Sequence, residues 1–248
     1  MNNYILYSGC SYITARILAT KLSLIATKNV SKFKHAPVIR YGNSDGVFAD
    51  DTTLNSKESI SLVSNSLEFS SKLKEAGFRT TVYTPIKDVD LSAIIYPVLI
   101  RRKYHHGGKD IIVANSQNEL ERYSHLPVFV VPFEETTDEF GVHIINGNVV
   151  RIFRKVAGSN PQSSFIRSAY MGYHYSIVNF NNGFNVLKDI ALRAFELVGL
   201  NFGRMDIGYN AEKKRYVIFE INSAPGLNTS TAEVYAAFFR EKLYGNDS

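Results

Sequence analysis

Residues Phe202 to Thr229, FGRMDIGYNAEKKRYVIFEINSAPGLNT, decide the fold. Met205 to Tyr209 is a short β-rich run, Asn210 to Lys214 is polar and turn-forming, and Tyr216 to Ile221 is β-branched and aromatic, so the two runs pair as a hairpin. Alternation along a strand puts Glu220 and Asn222 on one side and Ile221 on the other. Asp206 on the first strand reaches that same side. Three oxygen-bearing side chains, two of them carboxylates, thus converge on an otherwise apolar hairpin. Hard divalent cations want such a set, and Mg2+ in particular is held by one or two carboxylates while phosphate oxygens and water complete its shell. A lone Asp and a lone Glu are ordinarily solvated surface. Here Glu-x-Asn closes an apolar strand and runs straight into Ser223 to Leu227, a turn whose backbone N–H groups are placed to face an anion before a helix begins near Ser230.

At 248 residues, with 45% hydrophobic and 12% aromatic content, the chain has room for one large or two small domains and reads as globular. Its single cysteine, Cys10, excludes an intramolecular disulfide and suits a reducing compartment. The first residues lack the pattern of a secretory signal, and no run approaches the roughly 20 apolar residues that span a bilayer. A cytoplasmic protein with no membrane partner is expected. A net charge of +5 favours acidic partners, nucleotide phosphates and nucleic acid alike.

From the start, Tyr4 to Tyr7 is a strand, Ser8 to Ser11 a turn and Tyr12 to Ala26 a helical pattern, an ordinary βα unit. Ala36 to Tyr41 is a second strand that ends in the loop Gly42 to Gly46. Ser56 to Ala76 is the longest helical pattern, with Gly77 as its C-cap, and Thr80 to Thr84 is a third strand. Tyr96 to Arg101 is an apolar strand that delivers a cation into Lys103-Tyr104-His105-His106-Gly107-Gly108-Lys109, and another strand, Asp110 to Ala114, follows. Strand, glycine-bearing basic loop, strand is one way to build a flap over a triphosphate. His105 and His106 read as phosphate contacts or plain surface; no second cluster at ligand spacing makes them metal ligands. Ser116 to Arg122 is a short helix capped by Ser116 with Glu119 at N3. Val128 to Phe133 is a buried strand, and Val142 to Ile145, Asn146-Gly147 and Val149 to Phe153 spell a type I′ hairpin. Ala157 to Asn182 is loop-rich; its Arg167, Tyr170, Tyr173 and Tyr175 serve either as filler or as the wall of an acceptor pocket. Asn185 to Val198 is an amphipathic helix ended by Gly199, and Thr231 to Leu243 is a closing helix.

Asp206-x-Gly208, Glu220-x-Asn222 and Pro225-Gly226, in this order, resemble the carboxy-terminal signature of the ATP-grasp superfamily, ligases that join a carboxylate to an amine through an acyl-phosphate. The resemblance is close over about residues 90–240 and looser before them. It implies an α+β fold in which two α+β lobes clamp ATP, preceded by a small α/β pre-ATP-grasp domain. The implied boundaries are 1–88 for the small domain and 89–248 for the clamp, with the glycine-loop lobe at about 89–133 and the carboxy-terminal lobe at about 134–248. It implies Mg2+ (or Mn2+) on Asp206, Glu220 and Asn222. The adenine edge falls to the backbone at Val131 and Phe133, the ribose to Glu139, and the phosphates to Arg101, His106, Gly107 and Lys155. Arg204 and Asn222 stand by the acyl-phosphate, and Arg167, Gly226 and Asn228 by the substrate. Ser66 and Arg101 occupy positions where many relatives have lysine, and Gly141 one where some have arginine.

The implied reaction takes ATP, Mg2+, a small-molecule or peptide carboxylate and an amine, and leaves a homodimer open. Amino acids, peptides, modified bases and protein termini all suit it. No Ser-His-Asp or Cys-His arrangement competes, in keeping with a route that needs no covalent enzyme intermediate. Two other classes stand beside it. Ser66, Arg101 and Gly141 suit a degenerate ATP-grasp domain that binds nucleotide without turnover, and the Tyr and Arg residues between Arg151 and Tyr175 suit a basic nucleic-acid-binding module, which leaves Glu220-x-Asn222 unexplained.

Overall fold

In a computed structural model that describes residues 3–29, 38–46, 53–102, 111–179 and 183–245, the chain folds around three sheets. The first is parallel: β1 (Tyr4–Tyr7), β2 (Ile25–Thr27), β3 (Val38–Tyr41) and β4 (Thr53–Leu54) lie in the order β2-β1-β3-β4. The helical pattern expected to reach Ala26 stops sooner. Helix α1 (Tyr12–Leu22) ends at Ser23, which takes a left-handed conformation with φ 55°, and the next apolar residues join the sheet as β2. A short apolar run serves helix and strand equally well by periodicity, and the neighbouring β1 claims it. The last helix, α6 (Thr229–Tyr244), covers this sheet beside α1, so Tyr235 and Phe239 share a core with Ile5, Leu18 and Tyr41.

The single helix expected over Ser56 to Ala76 is two. Asn65 leaves the helical region with ψ 93° and its side chain turns to Glu68 at 3.2 Å, which separates α2 (Lys57–Ser64) from α3 (Ser66–Glu75). Their apolar residues Ile60, Val63, Phe69 and Leu73 nevertheless stay on one side and share a core with helix α5 (Asn185–Val198) and the largest sheet. The strand expected over Thr80 to Thr84 shrinks to β5 (Thr84–Pro85). Thr80 bridges instead to Ile218 of the largest sheet, so this segment runs from one sheet to another.

β5 adds to the smallest core, the antiparallel sheet β5-β8-β6-β7 made with β6 (Val98–Arg102), β7 (Ile112–Ala114) and β8 (Val128–Pro132). Helix α4 (Gln117–Glu121) leads into β8. Ser116 Oγ accepts the Glu119 N–H at 3.3 Å, and the Glu119 carboxylate accepts the Asn115 N–H at 2.8 Å. The basic glycine loop, with His106 and Gly107, lies outside the described residues.

The largest sheet is antiparallel, in the order β11-β10-β9-β12-β13. β9 (Asp138–Ile145) and β10 (Asn148–Ala157) turn at Asn146 and Gly147, whose φ values of 48° and 71° are those of a type I′ turn. β12 (Phe202–Asn210) and β13 (Arg215–Asn222) are the hairpin read first from the sequence. The run expected to be loop holds one more strand, β11 (Tyr173–Ile177), at the sheet edge. Fully buried Asn55, with φ 63°, ties the first sheet to this one: its Oδ1 accepts from the Asn201 and Phe202 N–H groups at 2.8 and 3.1 Å, and its Nδ2 donates to Phe202 O at 3.0 Å. No helix among the described residues is long and apolar enough to cross a membrane.

Candidate active site

A cleft of about 870 Å3, counted out to open solvent, separates the small antiparallel sheet from the large one. One part is apolar, with Leu99 and Val131 on the small sheet and Phe219 on the large sheet. The rest is charged. The charge follows from strand register. Asp206 of β12 lies opposite Glu220 of β13 on one side and Gly141 of β9 on the other; Gly141 in turn faces Phe153 of β10, and Phe153 faces Ile177 of β11. Side chains opposed across paired strands share a face, so the two carboxylates sit side by side in one row across the sheet.

Asp206 is 4% exposed and is compensated twice. Arg204 Nε lies 2.8 Å from its Oδ1 and Lys155 Nζ 3.1 Å from its Oδ2. Lys155 also reaches Glu139 at 3.1 Å, and Arg167 stands 3.9 Å from the other Glu139 oxygen while donating to the Thr136 carbonyl at 2.7 Å. Burial pushes the Asp206 carboxyl up, but the Arg204 and Lys155 charges outweigh it and hold the group below its ordinary range. Burial likewise pulls Lys155 down, and Asp206 and Glu139 together overcome this, so the ammonium stays charged. The Arg204 guanidinium lies over the Tyr175 ring at 5.3 Å; burial and then Asp206 raise the pKa of that phenol.

From the small sheet, buried Arg101 donates to Tyr83 Oη at 2.6 Å and approaches Glu220 at 4.0 Å. Glu220 itself is half-exposed. Beyond Val130, β5 no longer flanks β8, which leaves the backbone edge at Val131 to Phe133 without a neighbouring strand among the described residues. Pro132 has no N–H, so Phe133 carries the donor there.

The structure therefore gathers Arg101, Val131, Phe133, Glu139, Lys155, Arg167, Arg204, Asp206 and Glu220 around one cleft. Asn222, Gly226 and Asn228 are not among its lining residues. Asn222 Oδ1 accepts the Ala224 N–H at 2.9 Å, Asn228 Oδ1 caps α6 on Thr231 N at 2.9 Å, and the Pro225 carbonyl accepts from Tyr41 Oη, which fixes this turn against the first sheet. Three contributors escaped the sequence reading. Phe219 is the extra residue of a bulge between Asp206–Glu220 and Ile207–Ile218, so it and Glu220 both line the cleft although they are consecutive. Tyr83 positions Arg101. Thr81 presents a buried hydroxyl that has no partner among the described residues. Only Phe219 left a signal, in the glycine opposite it: a Cβ on Gly208 would lie 2.7 Å from the Phe219 ring.

The donor set suits one hard cation. Among the described residues no group of three or more His, Cys, Asp or Glu side chains gathers as a metal site, so two carboxylates need a neutral oxygen as the third donor, and Asn222 stands next in line on β13.

Two antiparallel sheets closing on such a cleft, behind a small parallel sheet, make up the ATP-grasp fold. The D-alanine–D-alanine ligase of Bacillus anthracis superposes with a TM-score of 0.72 at 12% identity, over 97% of this chain and 93% of that one. The ATP-grasp ligase PsnB, in complex with a phosphomimetic precursor variant, Mg and ADP, gives 0.68 at 13% identity over 98% and 99%. In sequence, the coenzyme gamma-F420-2:alpha-L-glutamate ligase of Methanococcus maripaludis is 25% identical over 189 residues, which are 70% of this chain. The match spans about 63% of that relative's length. No family model matches the chain.

Proposed function

We propose that the chain is an ADP-forming ligase that uses ATP and Mg2+ to activate a carboxylate and join it to an amine. The observation that carries this reading is the buried row in which Asp206 faces Glu220 while Lys155 and Arg204 hold the Asp206 carboxylate ionised. In this reading residues 1–88 form the unit that precedes the clamp and residues 89–248 form the clamp itself.

Adenine packs between Leu99, Val131 and Phe219, with the Phe133 N–H and the Val131 carbonyl for its polar edge. Glu139 accepts from the ribose hydroxyls, and Arg101 and Lys155 face the phosphates as a fork and a point charge. Asp206, Glu220 and the Asn222 oxygen would hold Mg2+, which supplies charge neutralisation for the moving phosphoryl group. A substrate carboxylate oxygen attacks the γ-phosphorus and ADP leaves. The amine then attacks the acyl carbon, phosphate leaves with the C–O electron pair, and the amine proton passes to water. Arg204 and Arg167 balance the negative charge of both steps, and the low dielectric of a buried row strengthens that effect.

Thermal stabilisation by ATP with Mg2+, but not by single-stranded DNA, supports the nucleotide site. ADP release that requires both a carboxylate and an amine supports the ligase. The two cations on Asp206 favour one other reading, a domain that binds nucleotide without turnover, and nucleotide-dependent stabilisation with no ADP release under any carboxylate and amine pair would select it.

A further inference from the structure

β11 is an edge of the largest sheet and lies against the cleft. Its orientation can be read from the hydrogen bonds at its ends. The Val178 N–H donates to Ile152 O of β10 at 2.9 Å, whereas the Tyr173 N–H turns away from β10 to Ser168 O at 3.1 Å. Backbone groups of successive residues in an antiparallel strand point in opposite directions. Ser176 and His174 therefore bond to β10, and Tyr175 and Ile177 present their N–H and C=O groups outward, where no described residue pairs with them.

Exposed edges ordinarily carry lysine, proline or a bulge that blocks further pairing. The sequence YHYSI carries none of these, is β-forming throughout, and is exposed from His174 to Ile177, with Ile177 at 52%. Its register links it to the active row. Tyr175 pairs with Lys155, which holds Asp206, and Ile177 stands in the row of Phe153, Gly141, Asp206 and Glu220. The neighbouring side chains Arg154, Lys155, Arg167 and Arg204 complement a negatively charged visitor.

We propose that β11 is the docking edge for an extended acidic segment of a peptide or protein substrate, which adds to the sheet as a sixth strand and so delivers a carboxylate to the cleft. Main-chain bonds to Tyr175 and Ile177 supply affinity, and alternate side chains of the segment lie on the cleft face against Tyr173, Tyr175 and Ile177. With strands about 4.8 Å apart, Asp206 lies about 19 Å from an added strand, a span of about six extended residues. The reacting acidic residue thus falls within about six positions of the docked segment. What becomes of that carboxylate rests on the ligase reading; the docking itself does not.

The test uses a synthetic peptide of about eight residues that alternates valine and glutamate, and the substitution Ile177→Pro. The proline removes an outward N–H and leaves the ladder to β10 intact. Hydrogen exchange at the Tyr175 and Ile177 amides should slow with the peptide and not with free glutamate. Ile177→Pro should weaken peptide binding tenfold or more, with the thermal shift by ATP and Mg2+ unchanged. N-methylation of one alternate set of peptide amides should do the same to the unaltered protein. Exchange that the peptide does not slow, or binding indifferent to both changes, overturns the proposal. So does protection of these amides that grows with protein concentration alone, since it assigns the edge to a second copy. Slowed exchange without any nucleotide shift leaves the docking standing and removes the ligase reading; turnover of free glutamate with no peptide binding does the reverse.

Discussion

Lowering the pH puts the heaviest load on one residue beneath the charged row. His143 of β9 lies opposite Arg204 and is 2% exposed. Its Nδ1 stands 3.0 Å from Tyr235 Oη, whose only proton is donated to Gly203 O at 3.0 Å, so Nδ1 must carry the hydrogen of a neutral ring. Burial, then Arg204, push its pKa from 6.5 down to about 3; Asp206 pulls the other way and Arg151 adds to the lowering. Between those values the unfolded chain binds a proton that the folded chain refuses. The stability from keeping this ring neutral is therefore fully present above the unfolded value and falls as pH drops through the window below it. At 1.36 kcal/mol per unit, the loss from pH 7.5 to pH 5 comes to about 2 kcal/mol. Since pH 5 stays above the folded value, the figure hardly changes if that value is nearer 4. Urea unfolding of the natural chain and of His143→Gln across this range should give free energies that diverge by that amount. Parallel curves, or a ring titration by NMR centred near the ordinary value, would refute the reasoning.

Glu220→Ala removes a half-exposed carboxylate, so the unfolding free energy should move by no more than about 0.5 kcal/mol while ADP release stops; retained turnover contradicts the metal role. Gly208→Ala places a Cβ 2.5 Å from Thr136 Cγ2 and 2.7 Å from the Phe219 ring, and should cost about 1–3 kcal/mol by urea unfolding and weaken ATP binding. An unchanged thermal shift with ATP would show that Phe219 is not the adenine floor. Asn55→Ala strips a buried amide of its bonds and asks alanine for a left-handed φ, so a loss of at least about 3 kcal/mol is expected, and Asn55→Gly should recover part of it.

What the sequence revealed and what it hid divide along a physical line. Alternation is local, so the shared face of Asp206, Glu220 and Asn222 could be read from spacing, as could the hairpin at Asn146-Gly147. The bulge at Phe219 could not, because the extra residue is housed by space above Gly208 on the partner strand. β11 was invisible for a related reason: an edge strand in an aromatic, loop-rich run exists only because β10 lies beside it. Asn222 and Asn228 show the opposite hazard, since the residues that cap a turn and a helix are the types that also bind metal and substrate. Gly141 is the case in which single positions mislead most. Taken alone it is a missing cation. In the fold, a Cβ there would lie 3.1 Å from Arg204 Cδ and 3.6 Å from Asp206 Oδ1, so any side chain at 141 would compete with Arg204 for the Asp206 carboxylate. The glycine on β9 and the arginine on β12 are therefore one device. The charge stands one strand over, and only the empty position between Phe153 and Asp206 lets it lie flat against the acid it holds.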